Sequence, residues 1–299
     1  MSAGGPQRRW PAILALAAAV AGIAWSAIFI RWAAIPGPSS AFYRVFIASL
    51  VLVPVWTAGY VASTPFRARV ATSSRRAILL AVAGGAFFAG DLALWNTAVL
   101  RTTAMTATLL GNASPIFVGV GTWFIFGRRP NRRFWTGLAL ALTGAAIVVA
   151  VNARGEGAGG DPVGDLLAVT AAVFFAGYLL TTERAREELS TLTFSTAAIV
   201  GSTVTLLIVC LAIDSPLAGF TGRSWAALLG LGLVTQLASY FALVYALGHL
   251  PATITSVGLL AQTPLTALLA VPLLGEALGP MQIAGGALAL AGIFIVVGR

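Results

Sequence analysis

Charged side chains are scarce in this sequence of 299 residues, where they account for 9% of the total. A soluble domain carries roughly 25% charged residues, so this composition excludes a soluble enzyme, and its high hydrophobicity excludes a disordered chain. Hydrophobic residues make up 59%, and mean hydropathy is +0.93. The apolar runs are continuous rather than alternating, which excludes a transmembrane β-barrel. The composition therefore predicts an all-α polytopic membrane protein.

Lysine, cysteine and histidine are absent or nearly so, and the lack of lysine and of histidine each excludes a class of chemistry. The sequence has no lysine, one cysteine (Cys210) and one histidine (His249). Without lysine there is no phosphate-binding loop of the ATPase type, so this chain does not hydrolyse ATP to drive a pump. One histidine supplies neither a catalytic metal centre nor a convincing serine–histidine pair. We therefore predict a protein that is not an enzyme and needs no metal or other cofactor.

The positive charge of the chain is carried entirely by arginine, with 18 arginines against nine acids. In a soluble protein this balance would suggest a nucleic-acid partner. Here the arginines flank hydrophobic runs, where they set orientation in a bilayer, so we predict no nucleic-acid binding. Assigning successive loops to alternate sides of the membrane places roughly thirteen arginines on one side and four on the other. The positive-inside rule then predicts that both termini are cytoplasmic.

The hydrophobic runs, divided at Pro, Gly and Arg breaks, predict ten transmembrane helices. The predicted spans are 11–31, 39–57, 77–100, 104–126, 134–151, 163–182, 192–212, 224–247, 252–273 and 279–298. Most tryptophans fall near the ends of these spans, as in an interfacial aromatic belt. Trp25 and Trp95 lie well inside their spans, which leaves them available for another role.

The sequence contains an internal repeat. A shift of 148 places Gly137–Val149 on Gly285–Val297, with nine of thirteen residues identical. We therefore divide the chain into a first five-helix repeat at 11–151, a linker at 152–162 and a second repeat at 163–298. Because five is odd, the two repeats would enter the membrane from opposite sides, an inverted repeat that suits a carrier with alternating access. A duplicated scaffold without transport activity is the alternative.

Several short motifs in the two repeats together carry a family resemblance, and three of them, at Ala98, Pro115 and Gly127, recur in the second repeat at Ala246, Pro264 and Gly275. The motifs are Trp25-Ser26, Arg31, Pro38, Arg44, Ala98, Pro115 and Gly127, followed by Tyr245-Ala246-Leu247, Pro264 and Leu274-Gly275-Glu276. With them, nearly the whole chain resembles the drug/metabolite transporter superfamily, in its EamA branch of ten-helix proteins. It departs from the family pattern at Arg128, where an acid is usual, and at Arg31, where lysine is common.

The resemblance implies a secondary transporter of the bacterial inner (plasma) membrane that exports small metabolites. Amino acids, including aromatic ones, are the first expectation, by similarity to the bacterial aromatic amino-acid exporters. Multidrug or toxic-cation efflux, export of another metabolite and a passive channel are the alternatives. The expected partners are a small-molecule substrate and the lipid bilayer, with proton coupling possible. A monomer and a homodimer both fit the sequence.

Five side chains are predicted to line one central cavity. At 1.5 Å of rise per residue, Trp25 and Asp91 lie about 21 Å along their helices, and Tyr178 and Tyr240 lie at similar depths in the second repeat. Trp95 shares a helical face with Asp91. Asp91 is the one acid placed deep in a predicted span, so it would bind a substrate amine, carry a coupling proton, or remain protonated or paired with Arg44.

Polar side chains next to two helix prolines form a second group of candidates. Asn112 precedes Pro115, and Gln262 precedes Pro264. They would either satisfy backbone carbonyls freed by the prolines and bond neighbouring helices, or bind the polar end of a substrate, with the prolines as hinges. Arg44 would recognise a carboxylate or, as the preferred alternative, extend toward the lipid headgroups.

Overall fold

The chain is all-α in a computed structural model that describes residues 6–99, 101, 110–152, 161–274 and 279–298. Among these residues every regular element is a helix. The elements of the first repeat are α1 (Pro6–Ile23), α2 (Ser26–Ala33), α3 (Gly37–Ala62), α4 (Thr64–Ala71), α5 (Arg75–Val99), α6 (Ser114–Phe126) and α7 (Arg132–Asn152).

The second repeat contains seven α-helices and one π-helical segment within the described residues. They are α8 (Pro162–Ala185), α9 (Thr191–Ala212), α10 (Gly222–Gly230), the π segment (Leu231–Ser239), α11 (Tyr240–Leu247), α12 (Ala252–Leu259), α13 (Gln262–Leu274) and α14 (Pro280–Val297). The π segment continues α10 directly into α11, so these three elements form one helical stretch.

Eight helical stretches of the described residues are long and apolar enough to cross a membrane. They account for eight of the ten predicted spans, and a polytopic membrane protein fits them. The predicted span 104–126 is described only in part, since residues 102–109 lie outside the described residues and α6 covers 114–126. The span 134–151 is occupied by α7, which is not among the eight. Ten spans and cytoplasmic termini stay predictions.

Three predicted spans are broken where the sequence analysis expects continuous or kinked helix. The first span breaks at residues 24–25, between α1 and α2. The stretch near Pro115 breaks at 112–113, and that near Pro264 breaks at 260–261. Proline lacks a backbone N–H and suits the first turn of a helix, which explains why α6 and α13 begin next to Pro115 and Pro264. The prolines therefore follow helix breaks.

The described residues divide into two compact units that do not coincide with the sequence repeats. The first unit comprises the described residues of Met1–Gly90 and Gly177–Leu250, and the second comprises those of Asp91–Ala176 and Pro251–Arg299. Each unit therefore takes segments from both repeats. Helices α5 and α8 contribute one part to each unit.

The second unit is built around close contact between α7 and α14. A Cβ added at Gly144 would lie 2.5 Å from the carbonyl oxygen of Gly285, and one at Gly285 would lie 2.9 Å from that of Gly144. A Cβ at Gly292 would lie 2.5 Å from the carbonyl oxygen of Gly137, and one at Gly137 would lie 2.7 Å from that of Gly292. Only glycine allows this backbone approach, and small residues are typical of closely packed helices in membranes.

The first unit packs α3 against α9 and α1 against the π segment and α11. Glycines again permit close approach, since a Cβ at Gly85 would lie 2.1 Å from the carbonyl oxygen of Ala198. The hydroxyl of Thr235 on the π segment donates to the carbonyl of Gly22 on α1, at 3.3 Å. These contacts hold the π segment beside α1 and α3, and the candidate site is built on it.

Candidate functional site

A pocket lies inside the first unit, between α3, α5, α8, α9 and the helical stretch that contains the π segment. The space in it that the centre of a water molecule can reach is about 20 Å³, and about 320 Å³ is free of protein atoms when open solvent at its mouth is counted. Twelve residues line it: Leu52, Phe88, Tyr178, Ser195, Ala198, Ile199, Ser202, Gln236, Leu237, Tyr240, Phe241 and Val244. Its wall is mainly aromatic and aliphatic, with a few polar groups, as is typical of sites for small organic molecules.

Three aromatic rings form one side of the pocket. The ring centroid of Phe88 lies 5.0 Å from that of Tyr178 and 4.8 Å from that of Tyr240, and the two tyrosine rings are 6.2 Å apart. These separations are within the range of favourable aromatic pairs. The structure thus brings together two of the tyrosines singled out in the sequence, with Phe88 between them.

The side chain of Arg44 is buried directly behind this aromatic wall, with 5% of its surface exposed. Its Nε donates to the amide oxygen of Gln236 at 2.7 Å, and Nη1 donates to the hydroxyl of Ser26 at 3.2 Å. The guanidinium carbon lies 5.0 Å from the centroid of the Tyr240 ring and 5.7 Å from that of Phe88. The expectation that Arg44 extends toward the lipid headgroups is therefore wrong, because its partners lie within the unit.

The π segment positions Gln236 against Arg44. A π-helix is rare and occurs mostly as a single irregular turn, frequently at functional sites. Here it is held by tertiary contacts: Gly232 allows Ile47 of α3 to approach, since an added Cβ would lie 2.7 Å from the Ile47 side chain. The hydroxyl of Ser239 donates to the carbonyl of Val234 at 2.8 Å, which supports the wide turn.

Two buried polar groups at this site lack a hydrogen-bond partner within the described part of the chain. They are Nη2 of Arg44 and Oγ of Ser195, and Ser195 lines the pocket with 8% of its surface exposed. By contrast, Ser202, two turns further along α9, donates to the carbonyl of Gly85 at 2.8 Å. Buried polar groups in native proteins nearly always have partners, so each of these two groups marks a position for a ligand or water.

Trp25 lies in the first unit at the break between α1 and α2 and is half-buried. Its ring stacks on Phe29, with centroids 5.9 Å apart. It is not among the residues that line the pocket, unlike Tyr178 and Tyr240. The sequence analysis groups these three aromatic residues in one cavity, whereas the pocket wall contains only the two tyrosines.

The other predicted site residues, Asp91, Trp95, Asn112 and Gln262, belong to the second unit. Asp91 and Trp95 are half-buried on α5. The indole of Trp95 packs against Gly111, where an added Cβ would lie 3.2 Å from the ring.

The amide nitrogen of Asn112 donates to the hydroxyl of Thr263 at 3.2 Å. This bond joins the helix breaks next to Pro115 and Pro264. Half-buried Gln262 begins α13 at the second break. The contact matches the structural alternative for the polar residues near the prolines, and nothing in it requires a substrate.

The sequence analysis misses Phe88 and Ser195 and gives little weight to Gln236. Phe88 and Ser195 are ordinary residues of apolar helices, and nothing near them in the sequence shows that they meet other helices at the pocket. The available signal is the pair Gly230 and Gly232, which breaks an apolar run just before Gln236. Among the described residues no group of three or more His, Cys, Asp or Glu side chains could hold a metal ion.

Comparison with known proteins identifies the family. The profile of the EamA-like transporter family matches residues 9–150 and again residues 162–298. A Bacillus subtilis (strain 168) protein named "Uncharacterized transporter YwfM" is 29% identical over 205 residues, which cover 68% of each chain. A solved crystal structure superposes with a TM-score of 0.78 over 96% of each chain at 19% identity, which shows that the fold is shared.

Proposed function

The chain belongs to the EamA-like transporter family, and from this premise we propose that it exports amino acids, including aromatic ones, across the bacterial inner membrane. Its general role as a multi-pass membrane transporter of small molecules follows from the family. The substrate, the direction of transport and the membrane are the proposed parts.

The observation that carries the proposal is the pocket in the first unit. Its aromatic side, formed by Phe88, Tyr178 and Tyr240, suits a planar or aliphatic side chain. Its polar groups, Ser195 and Gln236, suit the hydrogen-bonding end of an amino acid. A site that combines an apolar body with a few placed polar groups is the usual design for binding a small organic solute.

The proposed mechanism is alternating access without ATP. The repeat of Gly137–Val149 in Gly285–Val297 supports it, because two related halves can exchange conformations and so open the site to either side. In this mechanism substrate enters from the cytoplasm and leaves outside. Trp25, Asp91 and Trp95 remain proposed contributors to its path, and Asp91 is the proposed carrier of a coupling proton.

The first experiment is counterflow in proteoliposomes that contain the purified protein. Labelled phenylalanine, labelled threonine and a control organic cation are each offered, with and without a pH gradient. Saturable exchange of an amino acid is expected, and Tyr240→Ala should raise its KM about tenfold because one side of the pocket is lost. Trp123→Ala, which changes an exposed aromatic residue, is the matched control.

The alternatives give different results in the same assay. Saturable exchange of the cation alone would establish toxic-cation efflux instead. Flux that neither saturates nor exchanges would indicate a passive channel. If the pH gradient drives amino-acid flux, Asp91→Asn should abolish the gradient effect while exchange at equal pH persists, and gradient-driven flux in that variant would refute its coupling role.

A further inference from the structure

We propose that the pocket of the first unit binds the carboxylate of its solute at the end formed by Phe88, Gln236 and Tyr240, where Arg44 supplies the positive charge. The proposal rests on the proposed transport function and makes it specific: the solute is a carboxylate-bearing molecule with an apolar body. A purely cationic solute is excluded from this site.

The first argument is the hydrogen bonding of the buried guanidinium. An arginine side chain has five N–H donors in a fixed plane, and it is charged at any physiological pH. Nε and Nη1 have neutral partners in Gln236 and Ser26, while Nη2 has none within the described part of the chain. A buried charge is normally balanced by an opposite one. A carboxylate bound at this end of the pocket would supply the opposite charge that the neutral partners Gln236 and Ser26 do not.

The second argument is position, because the residues around the guanidinium are themselves pocket residues. Gln236 accepts from Nε, and the rings of Phe88 and Tyr240 stack against the guanidinium. All three line the pocket. Arg44 therefore lies immediately behind one end of the pocket, close enough for its charge to act on a solute in a medium of low dielectric constant.

The third argument concerns cations. Aromatic rings attract cations through their faces, so a pocket of this kind would ordinarily favour an ammonium group. Here the rings of Phe88 and Tyr240 already interact with the guanidinium. A cationic solute in the pocket would be repelled by the guanidinium of Arg44, which lies against these two rings.

Ser195 provides a further polar contact within the pocket. Its Oγ is buried and unpaired among the described residues, whereas Ser202 on the same helix and the same pocket wall is satisfied by Gly85. Its hydroxyl can donate to a carboxylate oxygen or accept from an ammonium group. We assign it to the polar end of the solute.

The test uses three probes that share a benzene ring and differ in charge. They are 3-phenylpropionate (a carboxylate), phenylalanine (a carboxylate and an ammonium) and phenethylamine (an ammonium). Binding to the purified full-length protein in detergent is measured by isothermal titration calorimetry. Both carboxylates are expected to bind at least tenfold more tightly than phenethylamine.

Two variants then test the assigned residues. Arg44→Gln should weaken binding of 3-phenylpropionate at least tenfold and remove the preference over phenethylamine. Ser195→Ala should weaken binding of phenylalanine about threefold. Arg184→Gln, which removes an exposed arginine that contacts Glu187, is the control for the change in charge and should leave all three affinities unchanged.

Several results would overturn the proposal. They are binding of phenethylamine as tight as that of 3-phenylpropionate, no binding of either carboxylate, or unchanged affinities in both pocket variants. If Arg44→Gln fails to fold, as judged by size-exclusion chromatography, the probe series on the unaltered protein and Ser195→Ala decide. Carboxylate-selective binding without counterflow would refute transport of amino acids and leave this site standing. Counterflow of phenylalanine unchanged in both variants would refute the site and leave transport standing.

Discussion

Replacing Gly144 by alanine tests the closest helix contact of the second unit. The new Cβ would lie 2.3 Å from the backbone nitrogen of Ala289 and 2.5 Å from the carbonyl oxygen of Gly285. Both neighbours are backbone atoms of α14, so no side-chain rotation can relieve the overlap. Ordinary van der Waals contact begins near 3.4 Å, and the two helices would therefore have to separate by about 1 Å along a closely packed interface.

The expected cost follows from packing data. Forcing an extra methyl group into a well-packed interior typically costs about 1–3 kcal/mol. For chains of this size, each kcal/mol shifts Tm by roughly 2–4 °C, so we expect Gly144→Ala to lower Tm by roughly 3–10 °C. By the sequence repeat Gly292 is the counterpart of Gly144, and an added Cβ there lies 2.4 Å from the backbone nitrogen of Ala141. Gly292→Ala should therefore have a similar effect.

The measurement is thermal unfolding of the purified protein in one detergent, followed by fluorescence-detected size-exclusion chromatography. Gly286→Ala is the matched control, because Gly286 lies on α14, as Gly292 does, and its added Cβ would meet only the Cβ of Pro264, at 3.4 Å. That variant should change Tm by less than about 2 °C. An unchanged or higher Tm for both Gly144→Ala and Gly292→Ala would refute the reasoning about backbone contact.

Three smaller predictions concern other contacts. The bond between Asn112 and Thr263 should give a coupling of roughly 0.5–1 kcal/mol in a double-mutant cycle with Asn112→Ala and Thr263→Val, and zero coupling would contradict it. Hydrogen bonds from the side chain and backbone of Ser74 hold the pKa of Glu188 below its usual value. The stabilisation is present above the normal glutamate pKa and is lost as pH falls through the lowered pKa of Glu188. Glu188→Gln should therefore reduce the loss of Tm on acidification. An acid profile identical to that of the unaltered protein would contradict this prediction. The hydroxyl of Tyr43 donates to a carbonyl of the loop after α9 at 2.5 Å, so Tyr43→Phe should speed amide hydrogen exchange in that loop, whereas unaltered exchange would show that the bond does not restrain it.

The sequence predicts the helical architecture well because long apolar runs leave few alternatives to helix in a membrane. The sequence also shows glycines seven residues apart, Gly137 with Gly144 and Gly285 with Gly292, which fall on one face of each helix. The family resemblance, carried by short motifs such as those around Pro115 and Pro264, is confirmed by the family match. These features depend on composition, spacing and local motifs.

The candidate site is harder to predict because it depends on distant contacts. Gln236 lies 192 residues from Arg44 in the chain, so counting depth along α3 cannot show that the guanidinium is buried. The π segment cannot be predicted from the sequence either, because it packs against α3 through Gly232 and Ile47, which are far apart in the chain. The break at residues 24–25 is likewise not predicted, because no proline lies next to it.

The reciprocal glycine contact has a consequence for the symmetry of the second unit. Gly137 faces Gly292 and Gly144 faces Gly285, while the repeat equates Gly137 with Gly285 and Gly144 with Gly292. Each glycine therefore faces the repeat counterpart of the other glycine on its own helix. Such reciprocal pairing is the isologous contact of a symmetric homodimer. The contact between α7 and α14 therefore has the form by which two identical five-helix chains would associate, although here both surfaces belong to one chain.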